Sequence, residues 1–311
     1  MNHKHFAANC LFLLAVFNAS PACAHTIGWP FLGFENFFSG QKEIRQVLES
    51  NWKQTTTVGG ERIETQLAQL MVIRWQPLGF NHIKGVWRVR QTIERLRLSY
   101  GIGGCFQVFD SADTDKRPGL SALLAQLTQF ELILEFDPDL KLASVQGREE
   151  FLEAIDREKE FLRACGKELV SQAVLRDVCR PAFSFVRAGR LKAKETRALA
   201  SKSYFGALLG DCSLTVKFHV EKATDHLAHI RVNVEEIEKD MRKRELLLSR
   251  PPRHSYGTGT ILYDQNQQAV READVRIHLE GKHRFSAGNG IDWLFFQIDR
   301  RTKVKVTVLT K

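Results

Sequence analysis

The stretch Trp87-Arg-Val-Arg-Gln-Thr-Ile93-Glu-Arg-Leu-Arg-Leu-Ser-Tyr100 alternates apolar and polar residues, and it does so in two phases. Trp87, Val89 and Ile93 share one parity, whereas Leu96, Leu98 and Tyr100 share the other. Successive side chains of a strand point to opposite faces, so a one-residue slip reverses which of them meet the core. The pattern therefore predicts a β-bulge or bend near Glu94-Arg95. A strand bent in this way wraps around something, either a helix or a ligand.

The same period of two recurs along the chain. Phe130, Leu132, Leu134 and Phe136 share a face, with Glu131 and Glu135 opposite. Leu214 to Val220, Ile230 to Val234, Val275 to Leu279 and Val304 to Val308 repeat the pattern with polar residues between. One-sided strands of this kind belong to antiparallel sheets with a polar outer face, not to a doubly wound parallel sheet. Two regions read as helical. Thr114 or Asp115 can cap a helix carrying Pro118 in its first turn and Leu120, Leu123, Leu124 and Leu127 along one face. Arg148 to about Val178 places Phe151, Leu152, Ile155, Leu162, Leu169 and Leu175 among many charges, with Gly166 as a break and Pro181 as a stop. The expected fold is α+β, a curved antiparallel β-sheet in two similar halves with packed helices.

Met1 to Ala24 has the layout of a secretory signal peptide. Lys4 lies near the start, Leu11 to Phe17 is apolar, and Ala22-Cys23-Ala24 is the cleavage signal. The apolar run is too short to span a bilayer, which takes roughly 20 residues. Cleavage after Ala24 is favoured over a lipid anchor on Cys23, because Ser20 and Pro21 suit a lipidation signal poorly. The expected location is therefore outside the cytoplasm, in the periplasm or cell envelope. The remaining chain divides into an N-terminal arm (25–50) crowded with aromatics from Trp29 to Phe38, a first β-rich half (51–147), a helical insert and linker (148–202), and a second β-rich half (203–311).

The halves echo each other: each has two long strands, a glycine pair, and a short strand ending in aromatic-Asp. The first such end is Phe109-Asp110, after Gly103-Gly104; the second is Tyr263-Asp264, after Gly257 and Gly259. The Asp can accept backbone N–H bonds as the strand ends. Duplication and convergent strand-end chemistry explain the echo equally well. These turns, with Gly59-Gly60 to Trp75, the strand ending at Tyr100, and Phe136-Asp137-Pro138 leading to Gly147, resemble a family of secreted bacterial proteins common in planctomycetes. That family is known only as a domain of unknown function. The resemblance covers the chain from about Asn51 onward and implies no catalytic residues. The cysteines and the charged segment from Arg148 to Val178 depart from it.

The formal net charge is +9 over 311 residues, and removing the leader takes away only one lysine. The densest basic run is Arg242-Lys243-Arg244, with Arg250 and Arg253 nearby. This balance permits attraction to anionic lipids or envelope polymers; no nucleic-acid partner is expected. Of the six cysteines, Cys105, Cys165, Cys179 and Cys212 lie beyond the leader. An even count in an exported chain allows two disulfides. Cys165 and Cys179, about 21 Å apart on a straight helix, can bridge only if the chain folds back between them, and that bridge is the favoured one. Cys105 and Cys212 are then either paired or buried as free thiols.

Candidate chemistry is sparse. Asp110, Asp113 and Asp115 could hold calcium, but their loop lacks the glycine and closing glutamate of a dedicated site, and an Asx turn explains them more simply. His226 and His229 have metal-like spacing on a helix but diverge on a strand. Gly101-x-Gly103-Gly104 lies between strands and is a turn, not a dinucleotide site. Arg88, Arg90, Arg95 and Arg97 could form a cationic stripe, which the phase change interrupts. No nucleophile elbow, phosphate loop or zinc-protease motif is present, so no enzyme, cofactor or metal site is expected. The leading expectation is a non-catalytic envelope protein binding a lipid, peptide or other apolar partner on a curved sheet. The alternative is a structural or adhesive module docking on anionic envelope polymers through Arg242, Lys243, Arg244, Arg250 and Arg253.

Overall fold

The computed structural model describes residues 43–58, 60–102, 105–112, 125–137, 142–156, 191–204, 211–239, 256–267, 269–287 and 290–309, with residues 163, 167, 170 and 175 between them. The leader, Cys23, most of the arm, Cys165, Cys179, Asp113, Asp115 and the arginine loop fall outside these residues.

Twelve strands account for most of the described chain: β1 (Glu43–Val58), β2 (Glu61–Asn81), β3 (Val86–Ile102), β4 (Cys105–Asp110), β5 (Glu131–Phe136), β6 (Leu142–Gln146), β7 (Thr196–Tyr204), β8 (Asp211–Ala223), β9 (Leu227–Lys239), β10 (Tyr256–Asp264), β11 (Ala269–Ala287) and β12 (Gly290–Leu309). All pair antiparallel, in the order β6-β5-β3-β2-β1-β12-β11-β10-β9-β8-β7. β4 lies off this path, pairing with Arg97–Ile102 of β3, while β5 takes Trp87–Thr92 of the same strand. Each half contributes six strands, and they join where β1 runs beside β12 from Glu43↔Leu309 to Val58↔Leu294.

The expected α+β class is therefore corrected to an almost entirely antiparallel β architecture. Within 148–156 the helical insert gives one helix, α1 (Arg148–Ile155), which buries Phe151 and Ile155. Phe151 meets Phe130 edge to face at 5.4 Å. Two segments read as arm and linker contain strand instead. β1 begins at Glu43, inside the arm, and β7 begins at Thr196, inside the linker. The buried side of β1 explains the first miss, since Ile44 and Leu48 share it with Gln46, Ser50, Gln54 and Thr56. With four of these six buried residues polar, the strand lacks the apolar alternation that marks its neighbours.

The phase change in β3 is a bulge. Val72 pairs with Arg95 and Ile73 with Ile93, so Glu94 is the extra residue. Ile93 and Leu96 are both buried, while Glu94 and Arg95 are exposed. The core beneath the sheet is filled by the chain itself: Leu48, Ile73, Trp75, Val89, Leu96, Leu134, Phe136, Val216 and Val232 are all but inaccessible. The buried indole N–H of Trp75 donates to Gln46 Oε1 at 2.9 Å, which offsets its desolvation.

Candidate functional site

Because register is continuous across the sheet, outward residues far apart in sequence fall into rows perpendicular to the strands. One row runs Phe106, Gly101, Gln66, Lys53, Asp299, His278, Tyr256, crossing β4, β3, β2, β1, β12, β11 and β10. The next row, two residues along, runs Ser99, Ala68, Asn51, Arg301, Arg276, Thr258. These two rows line a groove of about 790 Å³.

Each end of the groove carries an exposed ring. Phe106 is 61% exposed and lies over Gly101, where an added Cβ would stand 2.5 Å from the ring. Only glycine lets the ring lie so close to the sheet. Tyr256, 58% exposed, stacks on His278 with centroids 5.1 Å apart and planes at 29°. His278 Nδ1 is 2.6 Å from Asp299 Oδ1, and Nε2 is 3.0 Å from Glu280 Oε1. Two carboxylates on one ring require both nitrogens to carry protons. Burial lowers the imidazole pKa, but the hydrogen bonds and charges of Asp299 and Glu280 outweigh this, leaving it above the ordinary histidine value. Between the rings, Lys53 reaches Glu64 at 3.4 Å with both side chains well exposed. Arg301 grips Asp274 with Nε at 2.8 Å and Nη2 at 2.5 Å.

Most residues singled out in the sequence lie elsewhere and are already engaged. Asp110 accepts from Arg95 Nε and Nη2 at 3.1 and 2.6 Å and from the Ala112 N–H at 3.1 Å. The Arg95 bond holds its carboxyl below the usual range. Asp264 ends β10 in the same manner, accepting from the N–H groups of Asn266 and Gln267. His226 lies in the β8–β9 turn with Nδ1 2.6 Å from Asn266 Nδ2, and His229 is in β9. Among the described residues no group of three metal-ligating side chains converges. Arg88 and Arg90 face Glu135 and Glu131 at 3.8 and 3.3 Å, which gives paired charges and not a free cationic stripe. Of the glycine run, Gly101 lies within β3, paired with Phe106 of β4, and Gly103 and Gly104 fall outside the described residues.

Glu135, expected on the polar face, is buried and held by Ser144 Oγ at 2.6 Å, Gln146 Nε2 at 2.7 Å and Lys84 Nζ at 3.2 Å. The Ser144 bond, followed by Lys84, depresses its pKa despite the burial. This is a strand-pairing device at β5–β6, outside the groove. Apart from Gly101, read as part of a turn, the residues of the two rows were not singled out, because only the register brings together positions from 51 to 301. The glycine at 101 opposite an aromatic was the one local signal available.

No family model matches the chain, and no curated relative is similar to it. Solved structures are similar only remotely. The chain shares 5% identity with OccK7 (OpdD) of Pseudomonas aeruginosa, over 86% of this chain and 100% of that one, at a TM-score of 0.22. For OpdQ of the same organism the values are 5%, 86%, 99% and 0.21. For Ail of Yersinia pestis they are 4%, 85%, 99% and 0.10. Scores this low carry no argument about fold or function. The outward face gives independent information. Gln297, Asp299, Lys303 and Lys305 are exposed at alternate positions of β12. A strand facing lipid needs an apolar outer row, and Lys or Arg there costs about 2–4 kcal/mol at mid-bilayer. This part of the sheet faces water.

Proposed function

We propose that the chain is an exported, non-catalytic envelope protein that docks an extended polar partner across the outward groove. The observation that carries this reading is the unbroken row from Phe106 to Tyr256, with a ring at each end and hydrogen-bonding side chains between. Export rests on the layout of Met1 to Ala24 and agrees with the resemblance to secreted proteins. A non-catalytic role is supported by His278: with both nitrogens bound to carboxylates, it presents no lone pair to a substrate.

An apolar cargo is not favoured. Curved sheets that carry lipid keep an open apolar interior, whereas here the apolar side is occupied by the chain's own core. Native mass spectrometry of the purified protein should show the bare polypeptide mass; a co-purified lipid would overturn this part of the proposal. The docking reading is tested by sedimentation with isolated cell envelopes. The wild-type protein should pellet with them, and Tyr256→Ala combined with Arg276→Glu should remain in the supernatant with an unchanged circular dichroism spectrum. Equal pelleting of both would refute docking through the groove.

A further inference from the structure

We infer that the groove's occupant is an acidic oligosaccharide, a chain of sugar rings bearing carboxylate groups; this rests on the docking role proposed above. Three features of the groove select that chemistry.

The first is the pair of rings. Sugar rings offer flat C–H faces that pack on aromatic surfaces, and both end rings are exposed, one resting over Gly101 and the other stacked on His278. Phe106 lies over β3 and Tyr256 over β11, four strand spacings apart, or about 19 Å along the sheet. That span suits an oligosaccharide and not a monosaccharide.

The second is charge. The two rows supply Lys53, Arg276 and Arg301 against Asp299; Asp299 is committed to His278, Lys53 to Glu64 and Arg301 to Asp274, which leaves Arg276 as the cation to meet an anionic partner. Arg276 has no ion-pair partner among the described residues, so its guanidinium is available for bidentate bonding to a carboxylate.

The third is direction. The groove crosses the middle of the sheet at right angles to the strands, where backbone N–H and C=O groups are consumed by the β ladders. An extended peptide gains its affinity by pairing its main chain with a sheet edge, and no edge is offered here. Single-stranded nucleic acid stacks successive bases on neighbouring aromatics, and here the two rings are at opposite ends. A sugar chain, whose polar groups are hydroxyls and carboxylates, is recognised by side chains alone.

The test is equilibrium binding to the full chain by calorimetry, with four six-unit probes: oligogalacturonate, maltohexaose, hexaglutamate and a hexadeoxynucleotide. Oligogalacturonate should bind best, with its dimer and maltohexaose each weaker by about tenfold or more, the equivalent of one lost charge-assisted contact. Arg276→Ala and Tyr256→Ala should each weaken the hexamer by about tenfold, whereas Lys192→Ala, a surface cation outside the groove, should leave affinity unchanged. If Tyr256→Ala fails to fold, Tyr256→Leu keeps the bulk and removes the ring. Tighter binding of hexaglutamate or the deoxynucleotide, parity with maltohexaose, or indifference to Arg276 would each overturn the inference. Envelope sedimentation separates this failure from that of the broader reading. Groove-dependent pelleting without oligogalacturonate binding overturns only the sugar assignment, and loss of both overturns docking itself.

Discussion

His278 illustrates how much one residue's setting departs from its sequence context, which shows only alternation between Ile277 and Leu279. Its carboxylate partners, one on its own strand and one on β12, raise its pKa above 6.5 against the pull of burial. Because the folded value exceeds the unfolded one, the associated stability is complete below about pH 6.5 and is lost as pH rises through the folded pKa. Titration of the imidazole resonances should place the His278 midpoint above 6.5, and Asp299→Asn should lower it. A midpoint that Asp299→Asn does not move would show that burial, not the carboxylate, governs this ring. Tyr263, near the Asp264 turn, shifts in the same direction for a different reason. Burial and then the Asp264 charge push its phenol up to about 12, so it should stay un-ionised in a spectroscopic titration to pH 10.5.

At the scale of elements, the legible features were those in which local pattern and tertiary demand coincide. The alternation of β5, β8, β9 and β12 announced strands, and the parity switch announced the bulge at Glu94. Deleting Glu94 should abolish folding, since it would force Leu96 and Leu98 outward or break the pairing with β2; Glu94→Ala keeps the spacing and should fold. Circular dichroism distinguishes the two variants. β1 was illegible because its inward side carries Gln46, Ser50, Gln54 and Thr56; Gln46 Oε1 accepts from Trp75 of the neighbouring strand, and Gln54 donates to Thr56 within β1 itself. Glycines at element ends separate in the same way. Gly60 and Gly147 both have φ near +83°, but an added Cβ meets nothing at Gly60 and sits 2.5 Å from the Glu131 carbonyl oxygen at Gly147. Urea unfolding should show Gly147→Ala costing about 1–3 kcal/mol, and more than Gly60→Ala.

Over the whole molecule, charge pairing makes the fold acid-sensitive. Asp110, Glu135, Glu195 and Asp274 all have depressed pKa values, through bonds from Arg95, Ser144, the Lys192 backbone and Arg301 respectively. Depressed values contribute stability above the unfolded pKa, and this is lost as pH falls through the folded one. Thermal midpoints should therefore decline progressively below about pH 4.5, and Asp274→Asn should flatten part of that decline. The groove was invisible in sequence for a related reason: it is a property of register, summed over seven strands. The same register places β1, the first described strand, against β12, the last. A chain synthesised from its N-terminus exposes β1 on one edge until some 230 further residues have emerged. An apolar strand kept waiting that long would be a template for aggregation. The glutamines, serine and threonine on the inward side of β1 keep it wettable during the wait, so the residues that hid this strand from its own sequence also protect it while its last partner is being made.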